Sequence, residues 1–384
     1  MSKKRICWVV ASPLTIRFFL MGHIEMLAKK YDLTVITYVD DPEFLVALGV
    51  SVRVISVAME RKVSVWRDLI ALTQLGFMFL RERYDLVHSL SPKSGLLAMV
   101  AAWVARVPVR IHTFQGEVWV TRTGFWRSFL KFLDKVVAKC ATHLLVVSHS
   151  EAIFLAEQKV TQIDQLKILG HGSICGVDLE RFKPDSIERS NKRSSLGIGE
   201  DDLVLLYVGR LNTDKGLLLL AQAFSQLTDI YPRLHLLLVG PDEENMRKKI
   251  MTCNAQKHQN MHFVDYTPAP EGYMAACDIL CLPSYREGFG LVLIEAAATG
   301  VATVGSNIYG ISDAMVDHET GLLFKVGSVD DLVDKLKKLI ANPQLRKNLG
   351  QNGLLRARRD FSKESVLSAT LNFYEDVLSK RTQI

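Results

Sequence analysis

A chain of 384 residues exceeds what one ordinary hydrophobic core organises and suits two. With 48% hydrophobic and 23% charged residues it has the profile of a soluble globular protein, which excludes a disordered chain. Lys and Arg number 47 against 41 Asp and Glu, a net +6 that is unevenly placed. Residues 1–171 hold 22 basic and 14 acidic side chains, net +8, and the remainder holds 25 and 27, net −2. One half is therefore expected to face something anionic.

The N-terminal run MSKKRICWVVASPLT starts charged, but its apolar stretch is short and continues into strand-like sequence, a poor signal peptide. The most apolar helix-length stretches, 69–80 and 94–105, have 12 residues each, against roughly 20 for a membrane span. Cys7, Cys140, Cys175, Cys253, Cys277 and Cys281 form no CxxC pair, so they read as reduced thiols of a cytosolic protein and not as a zinc site.

Along the chain, short apolar runs alternate with longer amphipathic stretches. Residues 5–11, 33–38, 52–57, 86–89, 109–114 and 144–148 read as buried strands, with helices expected over 18–30, 65–83 and 94–105. The rhythm restarts with strands at 203–208, 234–239, 261–264, 279–282 and 302–305, and helices at 213–228, 243–256, 290–299 and 329–341. Two such series, parted by the polar stretch 185–202, predict two Rossmann-like α/β domains with parallel sheets facing an interdomain cleft. The expected boundaries are 1–175, 176–365 and a C-terminal helix over 366–384 packing back on the first domain. In open parallel sheets ligands bind beyond the carboxyl ends of the strands, so the chemistry is expected just after these runs.

Two segments meet that expectation. In YVGRLNTDKG (207–216), a strand ends near Gly209, Arg210 and Lys215 follow, and Gly216 opens a helix. Two cations beside a helix N-terminus suit a multiply charged anion such as a diphosphate. A loop with solvated basic residues fits the spacing equally well. No GxxxxGK[ST] or GxGxxG is present. In PSYREGFGLVLIEAA (283–297), Glu287 leaves a strand, Gly288 and Gly290 permit close backbone approach, and Glu295 lies eight residues on within an apolar helix. Such carboxylates can bind the hydroxyls of a sugar and a ribose, with phosphate oxygens at the helix start between them. A solvated glutamate is the bland alternative, which an acidic residue within LVLIEAAA fits poorly.

Gly209-Arg210 with Lys215-Gly216, followed by Glu287-Gly-Phe-Gly to Glu295-Ala296, resembles the retaining glycosyltransferases of family 4, with their GT-B fold and Glu-x7-Glu pair. Ser91-Pro-Lys-Ser-Gly95, His171-Gly-Ser-Ile-Cys-Gly-Val-Asp178 and Gly321-Leu-Leu-Phe324 extend the resemblance over nearly the whole chain. It implies that Arg210 and Lys215 neutralise a donor diphosphate, Glu287 holds the transferred sugar and Glu295 the ribose. It places the N–H groups of Phe289, Gly290 and Leu291 against phosphate or sugar oxygens. A retaining front-face route assigns no protein base.

Two positions depart from the family pattern. The slot where many members place a histidine holds Gln115, with His112 three residues earlier, and on one strand the two should not point the same way. A histidine beside a strand is also commonly a packing residue. The usual glycine-rich first loop is replaced by Ala11-Ser12-Pro-Leu-Thr15, leaving Ser12 as its polar candidate. No Asp-x-Asp occurs, and Arg210 with Lys215 would make a divalent ion unnecessary, so neither metal nor cofactor is expected.

Arg127, Lys131, Lys135 and Lys139 recur every four residues among Phe125, Trp126, Phe129 and Phe132. Such a helix is either an ordinary surface helix or one that lies on an anionic membrane, and the charge of the first half favours the membrane over nucleic acid. The resulting expectation is a glycosyltransferase acting peripherally at the cytoplasmic face of the inner membrane. It would use a nucleotide sugar, UDP-linked before GDP-mannose, and a lipid-linked glycan acceptor. A nucleotide-sugar epimerase of the same fold and a non-catalytic nucleotide- or glycan-binding relative are the alternatives; in a decayed site at least one of Arg210, Lys215, Glu287 and Glu295 would be expected to be missing.

Overall fold

The computed structural model describes residues 3–46, 49–59, 64–253 and 259–379. The strands and helices among them fall into two units, Met1–Cys175 with Lys363–Ile384, and Gly176–Ser362.

The first unit is built on seven parallel strands: β1 (Arg5–Val10), β2 (Asp32–Thr37), β3 (Arg53–Ser56), β4 (Leu86–Leu90), β5 (Val109–Phe114), β6 (His143–Val146) and β7 (Leu166–Ile168). Their order in the sheet is β3-β2-β1-β4-β5-β6-β7. The chain thus works outward in one direction from β1 and resumes in the other from β4, so the order reverses between these neighbours. The central strands are near-continuous apolar runs because helices cover both faces. On one face, Ile6, Trp8 and Leu86 pack with Ile24 and Leu27 of the helix Met21–Lys30 and with Phe373 of the helix Lys363–Ser379. On the other, Cys7, Val9 and Val87 pack against Leu75 and Phe79 of Val65–Glu82 and Ala98 of Pro92–Val104. The C-terminal helix is tied down by a polar contact as well. Tyr374 Oη accepts from Trp8 Nε1 at 2.8 Å and meets His88 Nδ1 at 2.5 Å.

The second unit repeats the plan with six parallel strands: β8 (Leu203–Val208), β9 (Leu234–Val239), β10 (Met261–Val264), β11 (Ile279–Leu282), β12 (Ala302–Ser306) and β13 (Gly321–Phe324). The order β10-β9-β8-β11-β12-β13 reverses between β8 and β11. The structure differs from the sequence reading at several places. The stretch 185–202 is not a linker: Asp185 caps a helix, Ser186–Ser195, inside the second unit. The helix expected over 18–30 begins as a short turn at Pro13–Thr15, widens to π geometry over Ile16–Leu20 and becomes α-helical at Met21–Lys30. That expected over 243–256 spans Met246–Cys253, and residues 254–256 lie outside the described residues. Strands β7 and β13 had not been expected. No helix is long and apolar enough to cross a membrane among the described residues.

Candidate active site

Strands β8 and β11 are the pair at which the second sheet reverses, and the loops beyond their carboxyl ends hold most of the expected site. After β8 the chain turns through Gly209, makes a short 3-10 turn at Thr213–Lys215 and enters the helix Leu217–Thr228 through Gly216. Gly216 has φ +68°, and a Cβ there would lie 2.0 Å from the carbonyl oxygen of Pro283, beyond the end of β11. Only glycine lets these two backbones approach so closely.

This approach brings Lys215 and Glu287 together. Lys215 Nζ donates to Glu287 Oε1, and Ser284 Oγ donates to the same oxygen at 2.8 Å. Both charged side chains are largely enclosed, at 17% and 14% exposure, where a charge without a partner is costly. The two loops are further pinned by the Tyr285 N–H, which donates to the Asp214 carbonyl at 2.9 Å, and by an Arg286–Asp214 ion pair of 3.2 Å. Beyond Glu287, Phe289 is buried edge-on against Phe361 with ring centroids 5.2 Å apart. Gly290, at φ +76°, caps the helix Leu291–Ala298. At that helix start the Leu293 N–H is taken by the Gly290 carbonyl at 2.9 Å, and the N–H groups that precede it in the first turn have no acceptor four residues back in the helix.

Arg210 lies on the same strand-end side, but is held by a carboxylate the sequence had not singled out. Its Nη1 donates to Glu243 Oε2 at 2.9 Å, and Asn212 Nδ2 donates to that oxygen at 3.1 Å. Glu243 follows the carboxyl end of β9, so the rule that drew attention to the ends of β8 and β11 also covers it. Ser284, fully buried after β11, was likewise missed.

Glu295 sits one turn into Leu291–Ala298 and keeps partial solvent contact. Desolvation pushes its carboxyl up to about 8, a shift opposed by Arg181 and increased by Glu271. Its side chain makes no hydrogen bond among the described residues. The site thus offers a paired cation and carboxylate, a second cation held at its edge, a helix start, and a carboxyl that can be protonated near neutral pH. These are the contacts that a diphosphate flanked by hydroxyl-bearing groups requires.

In the first unit, the three candidates stand differently. His112 on β5 is buried, accepts or shares a hydrogen with Ser89 Oγ at 2.9 Å and meets Phe114 edge-on at 4.6 Å. Burial pushes its imidazole down to about 3, so it is neutral. Alternation along β5 turns His112 under the helix Pro92–Val104, against Gly95, a placement that fits the packing residue the sequence offered beside the ligand reading. Gln115 follows the carboxyl end of β5 and is half-buried, and Ser12 follows β1 and is half-buried too. The loop carrying Gln115 is fixed from below. The buried Glu151 accepts from the Gly116 N–H at 2.5 Å and the Val147 N–H at 3.0 Å. Burial and then the neighbouring Glu117 raise the Glu151 carboxyl well above its ordinary value.

Two family models match consecutive parts of the chain: a glycosyl transferase 4-like domain over residues 22–168 and glycosyl transferases group 1 over residues 188–356. The chain is 29% identical over 360 residues to the capsular polysaccharide biosynthesis glycosyltransferase CapM of Staphylococcus aureus, with 94% of each chain covered. It is 26% identical over 283 residues to UDP-Gal:alpha-D-GlcNAc-diphosphoundecaprenol alpha-1,3-galactosyltransferase of Escherichia coli, covering 73% of this chain and 72% of that one. In structure it is similar to the sucrose-phosphate synthase of Thermosynechococcus elongatus, with a TM-score of 0.80 over 98% of this chain and 100% of the other at 21% identity. That likeness shows the fold, two parallel α/β sheets in the GT-B arrangement.

Proposed function

Since the chain belongs to the group 1, family 4 glycosyltransferases, we propose that it transfers a hexose or N-acetylhexosamine, with retention, from a nucleotide sugar to a lipid-linked glycan in surface polysaccharide assembly. The observation that carries this reading is the enclosed Lys215–Glu287 pair beside the helix start at Gly290. Lys215 and Arg210 take the donor diphosphate, exchanging carboxylate oxygens for phosphate oxygens. Glu287, released toward the sugar, binds its hydroxyls. The N–H groups of Phe289, Gly290 and Leu291 complete the anion site, and Glu295 meets the ribose. As the glycosidic bond breaks, charge accumulates on the leaving diphosphate, where fixed cations and backbone dipoles lower the barrier. An oxygen of that diphosphate accepts the proton of the attacking hydroxyl. Gln115, Gly209 and Ser12 complete the contacts assigned to substrates.

The acceptor class is supported by the relatives, one a capsular polysaccharide enzyme and one acting on a diphosphoundecaprenol-linked sugar. The net +8 of residues 1–171 supports a peripheral position at the cytoplasmic face of the inner membrane, with that half toward the acceptor. UDP-sugars are the first donors to test, and GDP-mannose the second. The test is a donor screen read by nucleotide release, with and without a polyprenyl-diphosphate-linked saccharide. Acceptor-dependent release with a glycosylated lipid product supports the reading. Conversion of the donor sugar without any acceptor would instead identify an epimerase.

A further inference from the structure

The helices Val65–Glu82, Pro92–Val104 and Gly124–Cys140 lie side by side on one face of the seven-stranded sheet, the middle one touching both others. Their inner sides bury Leu75, Phe79, Ala98 and Val137. A solvated helix should then be polar outside. On Val65–Glu82 it is not: Trp66, Leu69, Ile70, Phe77 and Leu80 are exposed, Trp66 at 78% and Phe77 at 68%. Their spacing is that of one helical stripe, so this helix is apolar on two sides. The first turns of Gly124–Cys140 add a second apolar group. Phe125, Trp126 and Phe129 are all exposed and contact one another with centroids 5.8 to 6.1 Å apart.

The charges of this layer are sorted by sign. Its acidic residues are Asp68, Glu82 and Asp134, and none is fully exposed. Asp68 pairs with Lys93 at 2.6 Å, Glu82 with Arg53 at 3.2 Å and with Arg5, and the buried Asp134 accepts from Trp119 Nε1 at 2.6 Å. The exposed charges among the described residues of this layer are cationic: Arg67, Arg81, Arg127 and Lys139 on the helices, and Arg83, Arg106 and Arg122 at their ends. Desolvation, and after it the nearby Lys135, Arg127 and Lys159, hold the Lys131 ammonium below its ordinary value.

A second copy of this chain would bring cations against cations. An anionic bilayer offers both a negative surface and an apolar interior. We infer that this three-helix layer is a bilayer-docking face. The ridge Trp66–Ile70–Phe77 enters the acyl boundary, Trp126 and its neighbours sit at the interface, and the surrounding cations meet anionic headgroups. The inference rests on the peripheral membrane reading above and specifies its contact. Each helix begins at the carboxyl end of a strand, so Trp66 and Phe125 lie toward the rim where ligands of such sheets bind. A lipid-linked acceptor could thus be reached with its tail still in the membrane.

The test uses the full chain, without donor or acceptor, and vesicles of phosphatidylcholine with or without phosphatidylglycerol. Sedimentation with the phosphatidylglycerol vesicles should exceed that with neutral ones, and acyl-brominated lipid should quench tryptophan fluorescence less in Trp66→Phe. The triple variant Leu69→Ser, Ile70→Ser, Phe77→Ser, all at exposed positions, should lose about tenfold or more in partitioning. Undiminished partitioning of that variant, or self-association without vesicle binding, would overturn the inference. Turnover with a detergent-dispersed acceptor separates the two readings. Loss on vesicles with turnover kept in detergent supports the docking face; vesicle binding by a wild-type protein without turnover would count against the enzymatic reading alone.

Discussion

Lys215 and Glu287 reach each other from the loops beyond β8 and β11, 72 residues apart in sequence, and share their contact with Ser284. Each is the other's charge partner in a largely enclosed place. If both stabilise charge in the transition state, Glu287→Ala and Lys215→Ala should each lower kcat by about 10²–10³. Because they form one unit, the double variant should lose much less than the product of the two single losses. Unchanged turnover in both single variants removes the site assignment.

Glu295 gives a pH signature that needs no substrate. Its folded carboxyl titrates near 8, above the ordinary carboxylate range. The folded protein therefore holds a proton that the unfolded chain has released, and stability falls as pH rises through that window. Above it the penalty is complete; below the ordinary carboxylate range it is absent. Glu295→Gln should flatten this decline and stabilise the protein at alkaline pH by about 1 kcal/mol or more. Thermal unfolding of both forms across about pH 4 to 9 reads the difference. A parallel decline in the two forms would contradict it.

Gly95 and His112 test the interior placement of the histidine. A Cβ on Gly95 would lie 2.4 Å from His112 Cε1. Gly95→Ala should therefore cost about 1–3 kcal/mol through overpacking. In a His112→Ala background the same substitution should cost less, since the added methyl then occupies space the ring has left. Urea denaturation midpoints of the four proteins measure the coupling, and strict additivity would show that the ring and the glycine are not in contact.

Metal removal bears on the donor site. With Arg210 and Lys215 supplying positive charge, turnover should survive EDTA and gain little from added magnesium. Loss in EDTA that magnesium restores would show that the two cations are insufficient for the diphosphate.

The parts legible in the sequence were those with repeated physical signals. β8, β9, β10, β11 and β5 were bounded correctly because they are apolar runs closed by turn residues. β7, with three residues, and β13, which begins at a glycine, are too short to show a period. Glycines 216 and 290 could be seen at helix starts, but Gly216 touching Pro283 depends on two loops meeting, which no local pattern records. For the same reason the partners Glu243 and Ser284 were missed. His112 was ambiguous in sequence because alternation names two faces of a strand without saying which one a helix covers.

The returning helix Lys363–Ser379 has a consequence for the order in which the protein can assemble. The first unit takes Phe373, Tyr374 and Val377 into its core, yet these residues leave the ribosome after the whole second unit. The second unit, in contrast, is contiguous, and its ends meet where Val177 bridges Ser362. One face of the N-terminal sheet must therefore wait with its core incomplete while the later module is synthesised and closes on itself. Chains ending before Lys363 would leave Trp8 and His88 without Tyr374, so the first-made half cannot finish folding until Lys363–Ser379 has been synthesised.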